Sequence, residues 1–281
     1  MPITIASMAP LLQYCELCSS TINPWELGPH ECCATAAEPQ RFGLLERGDV
    51  VAHENRLLAS LPPDERLRLA TRCENVTLPK GKVLYEAGDA VPHAYFPTDG
   101  LLSRLVIMPN GEAVEVAMVG SEGFIGLPIV LHSDTTSYRI VAQLPTAAQR
   151  IRAEDLRAEL GRSALFQKSL LRYTHDVLSE ISRAFVCHRF HSTSQRLSRW
   201  LLIVGDRAGS DTLELTHESM AHALGVPRSV VTTAAVELQD AGHIWYRHGH
   251  LIIKNRRQLK IAACDCYRAS HREGQRARSA S

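Results

Sequence analysis

No apolar run in this chain approaches the roughly 18–20 residues that a membrane-spanning helix needs. The first ten residues have neither the cationic start nor the apolar core of an export signal. The expectation is a cytoplasmic protein with no membrane partner. In that setting the eight cysteines read as reduced thiols or metal ligands rather than a disulfide framework. Also missing are a nucleophile elbow and a glycine-rich phosphate loop. Between residues 76 and 150 the only histidines are His93 and His132, each beside a turn signal. A metal-dependent barrel enzyme would need several converging histidines and a carboxylate. It stands as the weaker alternative, and no catalytic residue is assigned.

Overall charge imbalance is absent too, at a formal +1, but its distribution is uneven. From His243 to Ser281 nine Lys or Arg stand against two Asp or Glu, so that end carries about +7 and the remainder about −6. Such asymmetry suits a chain whose C-terminal end meets phosphates. The stretch 216–244 agrees: Met220, Ala221 and Leu224, then Val230, Val231, Ala234, Ala235 and Leu238, form two helical sets parted by Gly225-Val226. Gly225 supplies the positive φ of a tight helix-turn-helix corner. Thr216, His217, Arg228, Ser229, Thr232 and Thr233 are the candidate DNA contacts. Residues 243–254 alternate about Gly249 as a hairpin wing, adding Arg247 and His248.

Upstream, 1–48 has no sustained period and reads as a flexible tail. Its Cys15, Cys18, Cys32 and Cys33, with His30 nearby, form a candidate set for zinc or an iron-sulfur cluster, against the alternative of free thiols. Two short helices flank Pro62-Pro63, with Leu57, Leu58, Leu61, Leu67, Leu69 and Ala70 as apolar positions and the second helix starting near Asp64. Strand-like runs follow at 82–85, 94–96, 101–107, 114–119 and 138–143, with Asn110-Gly111 the best hairpin turn. This indicates a sandwich or jelly-roll barrel. A long helix over 163–188 carries two heptad sets, Leu170/Val177/Ala184 and Leu171/Leu178/Phe185, which suit a symmetric dimer seam. A further helix at 194–205 presents Leu197, Trp200, Leu201 and Val204. Cys187, His188 and His191, where these helices meet, read as a solvated helix end rather than a ligand set.

The motifs LPKGKVLYEAGD (78–89) and FPTDGLLSRL (96–105) and the segment 215–259 resemble the superfamily of the cyclic-AMP receptor protein and the fumarate and nitrate reduction regulator, over about residues 54–260. The resemblance implies an α+β chain: an N-terminal double-stranded β-helix (a jelly-roll like cyclic-nucleotide-binding domains), a long dimerisation helix and a C-terminal winged helix-turn-helix. The expected boundaries are 1–48 for the cysteine-bearing tail, 49–160 for the β-roll sensor with flanking helices, 161–192 for the dimer helix, 193–262 for the DNA-binding domain and 263–281 for a basic tail. It further implies a homodimeric transcription regulator of double-stranded DNA, with RNA polymerase as a further candidate partner.

The family's nucleotide pocket uses a glutamate after a glycine and an arginine some ten residues on. Here Gly126 is followed by Leu127, and Thr136 or Ser137 falls at the arginine position, with Arg139 close by. The candidate effector pocket is therefore Gly126, Leu127, Thr136, Ser137 and Arg139, in a form that argues against cyclic AMP and leaves the effector open. Arg228 matches the first base-reading position of the family, while Ser229 and Thr233 replace its glutamate and second arginine. A cluster-based sensor would place Cys73 with the N-terminal cysteines, giving an alternative metal- or redox-responsive regulator.

Overall fold

The computed structural model describes residues 54–269 and two short strands, β1 (Gln13–Cys15) and β2 (Ser20–Ile22), which pair antiparallel with Tyr14 opposite Thr21. Cys15 is the last residue of β1, and Cys18, His30, Cys32, Cys33 and the tail from residue 270 lie outside the described residues.

Two short helices lead into the roll, α1 (Arg56–Ala59) and α2 (Pro63–Ala70). Asn55 is fully buried; its Oδ1 accepts from the Leu57 and Leu58 amides, and its Nδ2 donates to the Pro97 and Gly123 carbonyls at 2.8 Å each. One side chain thus caps a helix and closes four polar groups that burial would otherwise leave unpaired. Of the expected apolar positions here, Leu67 is 70% exposed: α2 is only eight residues long, and its buried side is carried by Leu69.

The roll has two antiparallel sheets. One orders β3 (Glu74–Leu78), β9 (Thr146–Arg152) and β5 (His93–Pro97); the other orders β4 (Val83–Tyr85), β8 (Arg139–Ala142), β6 (Leu102–Ile107) and β7 (Ala113–Val119). Central β8 and β9 close the sheets around Phe96 and Phe124, stacked at 5.4 Å, with Ala94, Leu102, Val119, Ile140 and Ile151. The Asn110-Gly111 turn joins β6 to β7, with Gly111 at φ 85° and the Asn110 side chain accepting from the Glu112 amide. A short α3 (Leu127–Val130) and α4 (Ala153–Arg162) complete the roll.

The 27-residue helix α5 (Ala164–Phe190) begins at Ser163, whose hydroxyl accepts from the Phe166 amide. Its first half seals the roll through Phe166, Leu170, Tyr173 and Val177. Tyr173 lies so close to Gly123 that a Cβ there would meet its Oη at 2.2 Å, so only glycine fits. Two residues, His191 and Ser192, separate α5 from α6 (Thr193–Ala208). Ser192 opens α6 with a reciprocal capping box to Gln195. Beyond it come β10 (Thr212–Glu214), α7 (His217–Leu224), α8 (Arg228–Asp240), the hairpin β11 (Ile244–Arg247) and β12 (His250–Ile253), and α9 (Arg256–Ala262). Packed chain continues to Cys264 and Tyr267, each 4% exposed.

A second core gathers Leu197, Trp200, Leu201 and Val204 of α6, the buried faces of α7 and α8, and Leu251 and Ile253 of the hairpin. Leu101, Met118 and Leu144 of the roll belong to it as well. The C-terminal unit from α6 to α9, the reader, therefore shares apolar surface with the roll in this conformation.

Candidate nucleic-acid interface and its coupling to the roll

Helix α7 starts at Thr216, whose hydroxyl accepts from the Ser219 amide while Ser219 Oγ accepts from the Thr216 amide. It ends at Gly225 with φ 58°, ψ 45°, the left-handed corner that turns the chain into α8. Pro227 precedes α8 and lends its carbonyl to the Val230 and Val231 amides; its missing N–H falls where a helix has no internal partner. On α8, Val231, Ala234, Ala235 and Leu238 face the core. Val230, expected with them, is 39% exposed, because one residue is 100° of helix and Val231 already holds the core position.

Arg228, Ser229 and Thr233 are exposed along the first turns of α8. Thr233 Oγ1 donates to the Ser229 carbonyl at 3.2 Å and Thr232 Oγ1 to the Arg228 carbonyl at 3.0 Å. Thr232 Oγ1 is also 3.0 Å from His217 Nδ1. The His217 ring stacks on Tyr246 of β11, centroids 4.3 Å apart at 17°. Burial, then the Arg228 guanidinium, hold His217 below the usual histidine pKa, so near pH 7 it is a neutral ring serving structure rather than a cation. The wing turns at His248 (φ 49°) and Gly249 (φ 84°), the two positive φ values of a type I′ hairpin, and the Gly249 carbonyl accepts from the Leu215 amide at 2.8 Å. Thr216, His217 and Thr232 are thus brought together beside the wing turn. Arg228, Ser229, Thr233, Arg247 and His248 remain exposed around them. Sequence reasoning named His217 for DNA and missed its bond to Thr232; nothing in the spacing of residues 217 and 232 signals it.

The candidate effector residues do not converge. Gly126 (φ 137°) packs against Ala94, and Leu127 joins the margin of the roll core. Thr136 is buried, its hydroxyl bonded to the Tyr138 amide, whereas Ser137 is exposed. On β8, Ile140 and Ala142 point inward and Arg139 points out, paired with Glu86 at 2.7 Å. Arg139 lines a cleft of about 270 Å³ between the roll and α7, together with Val141, Ser219 and His222. Strand alternation has put this arginine on the opposite face from the roll interior.

Three polar links that tie the reader to the roll or to α5 escaped sequence reading. Glu115 of β7 is 8% exposed; its carboxylate accepts from Trp200 Nε1 of α6 at 2.7 Å and from Ser103 Oγ at 2.5 Å. Burial pushes its pKa from 4.5 up to about 7 against those two donors. Arg207 of α6 pairs with Glu122 at 2.9 Å and with Glu180 of α5 at 3.2 Å. Arg196 donates to the Leu224 carbonyl at the end of α7 and reaches His188 Nδ1 at 2.7 Å. Only partners distant in sequence give these residues meaning, so no local motif marks them.

A β-roll sealed by a long helix and followed by a winged helix-turn-helix defines a DNA-binding transcription regulator. Residues 75–163 match the cyclic nucleotide-binding domain family, and residues 195–261 match the Crp-like helix-turn-helix domain family. The chain belongs to the Crp/Fnr superfamily. Among similar solved structures is FixK2 from Bradyrhizobium japonicum, at 15% identity over 68% of this chain and 98% of that one, TM-score 0.60. The c-di-GMP-responsive global regulator CLP of Xanthomonas campestris gives 16% identity over 68% and 99%, TM-score 0.58. A CRP/FNR-family transcriptional regulator of Thermus thermophilus gives 22% over 68% and 98%, TM-score 0.55. At these identities they establish a shared fold. No curated protein matches the chain. Members of this family and the similar structures are regulators rather than enzymes. No helix among the described residues is long and apolar enough to cross a membrane.

Proposed function

We propose that the chain works as a homodimer whose two α8 helices read a two-half-site operator, under control of a signal received by a roll that does not take cyclic AMP in the usual way. The observation that carries the dimer is the division of labour on α5. Leu170 and Val177 are buried in the chain's own roll, whereas Leu171, Leu178 and Phe185, at the same seven-residue spacing, are 44%, 61% and 75% exposed. An apolar heptad stripe left largely exposed among the described residues suits the same stripe of a second copy. Two readers related by that axis would meet half-sites about one helical turn apart.

For DNA contact the reading assigns base readout to Arg228, Ser229 and Thr233, and positioning on phosphates to Thr216, Arg247 and His248, with His217 and Thr232 locking α7, α8 and the wing into one unit. Leu127 offers no carboxylate to a ribose, and the outward Arg139 offers no guanidinium inside the roll, which supports an effector other than cyclic AMP. The cytoplasm is the matching location. Operator selection from random duplexes with the full chain, followed by binding curves at rising salt, tests the reading. The expected outcome is a two-fold symmetric site, with Arg228→Ala weakening that site by about 1–3 kcal/mol and leaving non-specific binding nearly unchanged. An equal loss on all sequences would reassign Arg228 to phosphate contact; failure to enrich any sequence would count against specific reading altogether.

A further inference from the structure

The end of α5 and the chain beyond α9 converge on four soft or borderline donors. Cys187 is 1% exposed on the last turn of α5, and His191 follows at the helix end. Cys264 and Cys266, past α9, face them: the Cys187 and Cys264 sulfurs are 3.5 Å apart, and Cys266 Sγ is 3.7 Å from His191 Nδ1. All four donor atoms lie within 4.8 Å of one another. The Cys187 and Cys264 sulfurs are not joined as a disulfide, and none of the other described thiols is. Of the helix end expected from sequence to be solvated, Cys187 and His191 thus belong to a half-buried cluster, while His188 stays outside it. Its C-x-x-x-H half was visible in the sequence; the C-x-C half 77 residues on from Cys187 was not connected to it.

We infer that Cys187, His191, Cys264 and Cys266 bind one divalent metal ion of the zinc class. A tetrahedral ion with bonds of about 2.3 Å to sulfur and 2.05 Å to nitrogen sets S···S edges of about 3.8 Å and S···N edges of about 3.6 Å. The observed 3.5 and 3.7 Å separations need adjustments of only tenths of an ångström. A polynuclear iron-sulfur cluster divides its thiolates among several irons and spreads them further than 4.8 Å, so the geometry selects a single ion. Cys₃His is a structural zinc set, saturating four positions and leaving none for substrate. Three thiolates, one neutral imidazole and a 2+ ion sum to −1. Arg199, which lines the same cleft as Cys187 and whose buried Nε has no hydrogen-bond partner among the described residues, is placed to supply the counter-charge. Loading releases up to three thiol protons as the metal–sulfur bonds form.

The position gives the ion a task. Cys187 lies on the last turn before the two-residue joint between α5 and α6 and His191 is the first residue of that joint, while Cys264 and Cys266 follow the whole reader. A bond set across these ends clasps the reader to the dimer helix and fixes the angle at which α8 is presented.

The test is a cobalt titration of the metal-stripped, reduced full chain in which Cys15, Cys18, Cys32 and Cys33 are all changed to serine, removing the N-terminal thiols. One equivalent of Co²⁺ should give intense tetrahedral d–d bands and a thiolate charge-transfer band, both bleached by Zn²⁺. Cys264→Ser/Cys266→Ser should abolish them with far-ultraviolet dichroism unchanged. Cys266→His should keep the tetrahedral bands and lose about one third of the charge-transfer intensity, two thiolates remaining of three. That variant answers the question even if the double serine variant fails to fold. Weak octahedral bands only, or bands that persist at full intensity in Cys264→Ser/Cys266→Ser, would overturn the inference.

Discussion

Glu115 should make the union of roll and reader weaken as pH rises from about 4.5 to 7. Folding buries this carboxyl beneath Trp200 and raises its pKa from 4.5 to about 7. The folded state therefore binds the proton more tightly than the unfolded one. Its stabilising effect is complete below about pH 4.5, declines through the interval and is gone above pH 7, where both states are ionised. The shift corresponds to about 3 kcal/mol across that window. Glu115→Gln isolates the effect. Its amide oxygen can accept from Trp200 Nε1 and its NH₂ can donate to Ser103 Oγ, so both bonds survive without a charge. Urea unfolding followed by tryptophan fluorescence between pH 5 and 8 should show the variant matching the wild type near pH 5 and exceeding it by about 2–3 kcal/mol at pH 8. Subtracting the two curves removes the titration of every other group. A flat difference, or a variant less stable at pH 8, would refute the assignment of Glu115 as a buried, proton-retaining link.

Leu178→Glu/Phe185→Glu should convert a dimer into monomers by light scattering with circular dichroism unaltered, since both residues are mostly exposed within one chain. Losing two apolar side chains from the seam corresponds to at least about 3 kcal/mol, or two orders of magnitude in dimer dissociation. An unchanged mass would place the dimer surface elsewhere. Arg207→Met keeps the aliphatic stem but strands Glu122 and Glu180, and should cost on the order of 2–3 kcal/mol in urea unfolding. Arg207→Lys should recover only part of that, because one ammonium cannot fork between two carboxylates as a guanidinium does; full recovery would show that charge alone matters.

The outline of the fold was legible wherever a local pattern set it. Asn110-Gly111 announced its hairpin, Gly225 its corner and Gly249 the wing, because each needs a backbone conformation that few residues supply. Strand β9 was not read: TAAQRIR buries Thr146, Ala148 and Ile151, a spacing that breaks strict alternation and includes only two apolar residues, and its place between β3 and β5 is decided by pairing with distant chain. The α5 seam was legible as a period and ambiguous as a surface. Only the fold shows Leu170 and Val177 facing the chain's own roll while Leu178 and Phe185 face outward. Of the candidate site, the outward placement of Arg228 and Thr233 on their helix was legible. The buried links through Glu115, Arg196 and Arg207 were not, since a charged residue in a strand or helix looks solvent-facing until a partner 27 to 85 residues away is known.

Leu101, Met118 and Leu144 sit on the edge of the roll yet are covered by the reader. Any orientation of the reader that uncovers them pays in apolar exposure, on the order of 1.5–3 kcal/mol for each side chain fully bared. For a reader that turns in answer to a signal, as the proposed control by the roll requires, that sum acts as a spring constant: it sets how large the signal must be. Trimming Met118 to alanine would soften the spring without touching DNA or effector, shifting the balance between orientations. Sensitivity in such a protein can therefore drift through substitutions at three roll positions, leaving the recognised DNA sequence and the sensed signal as they were.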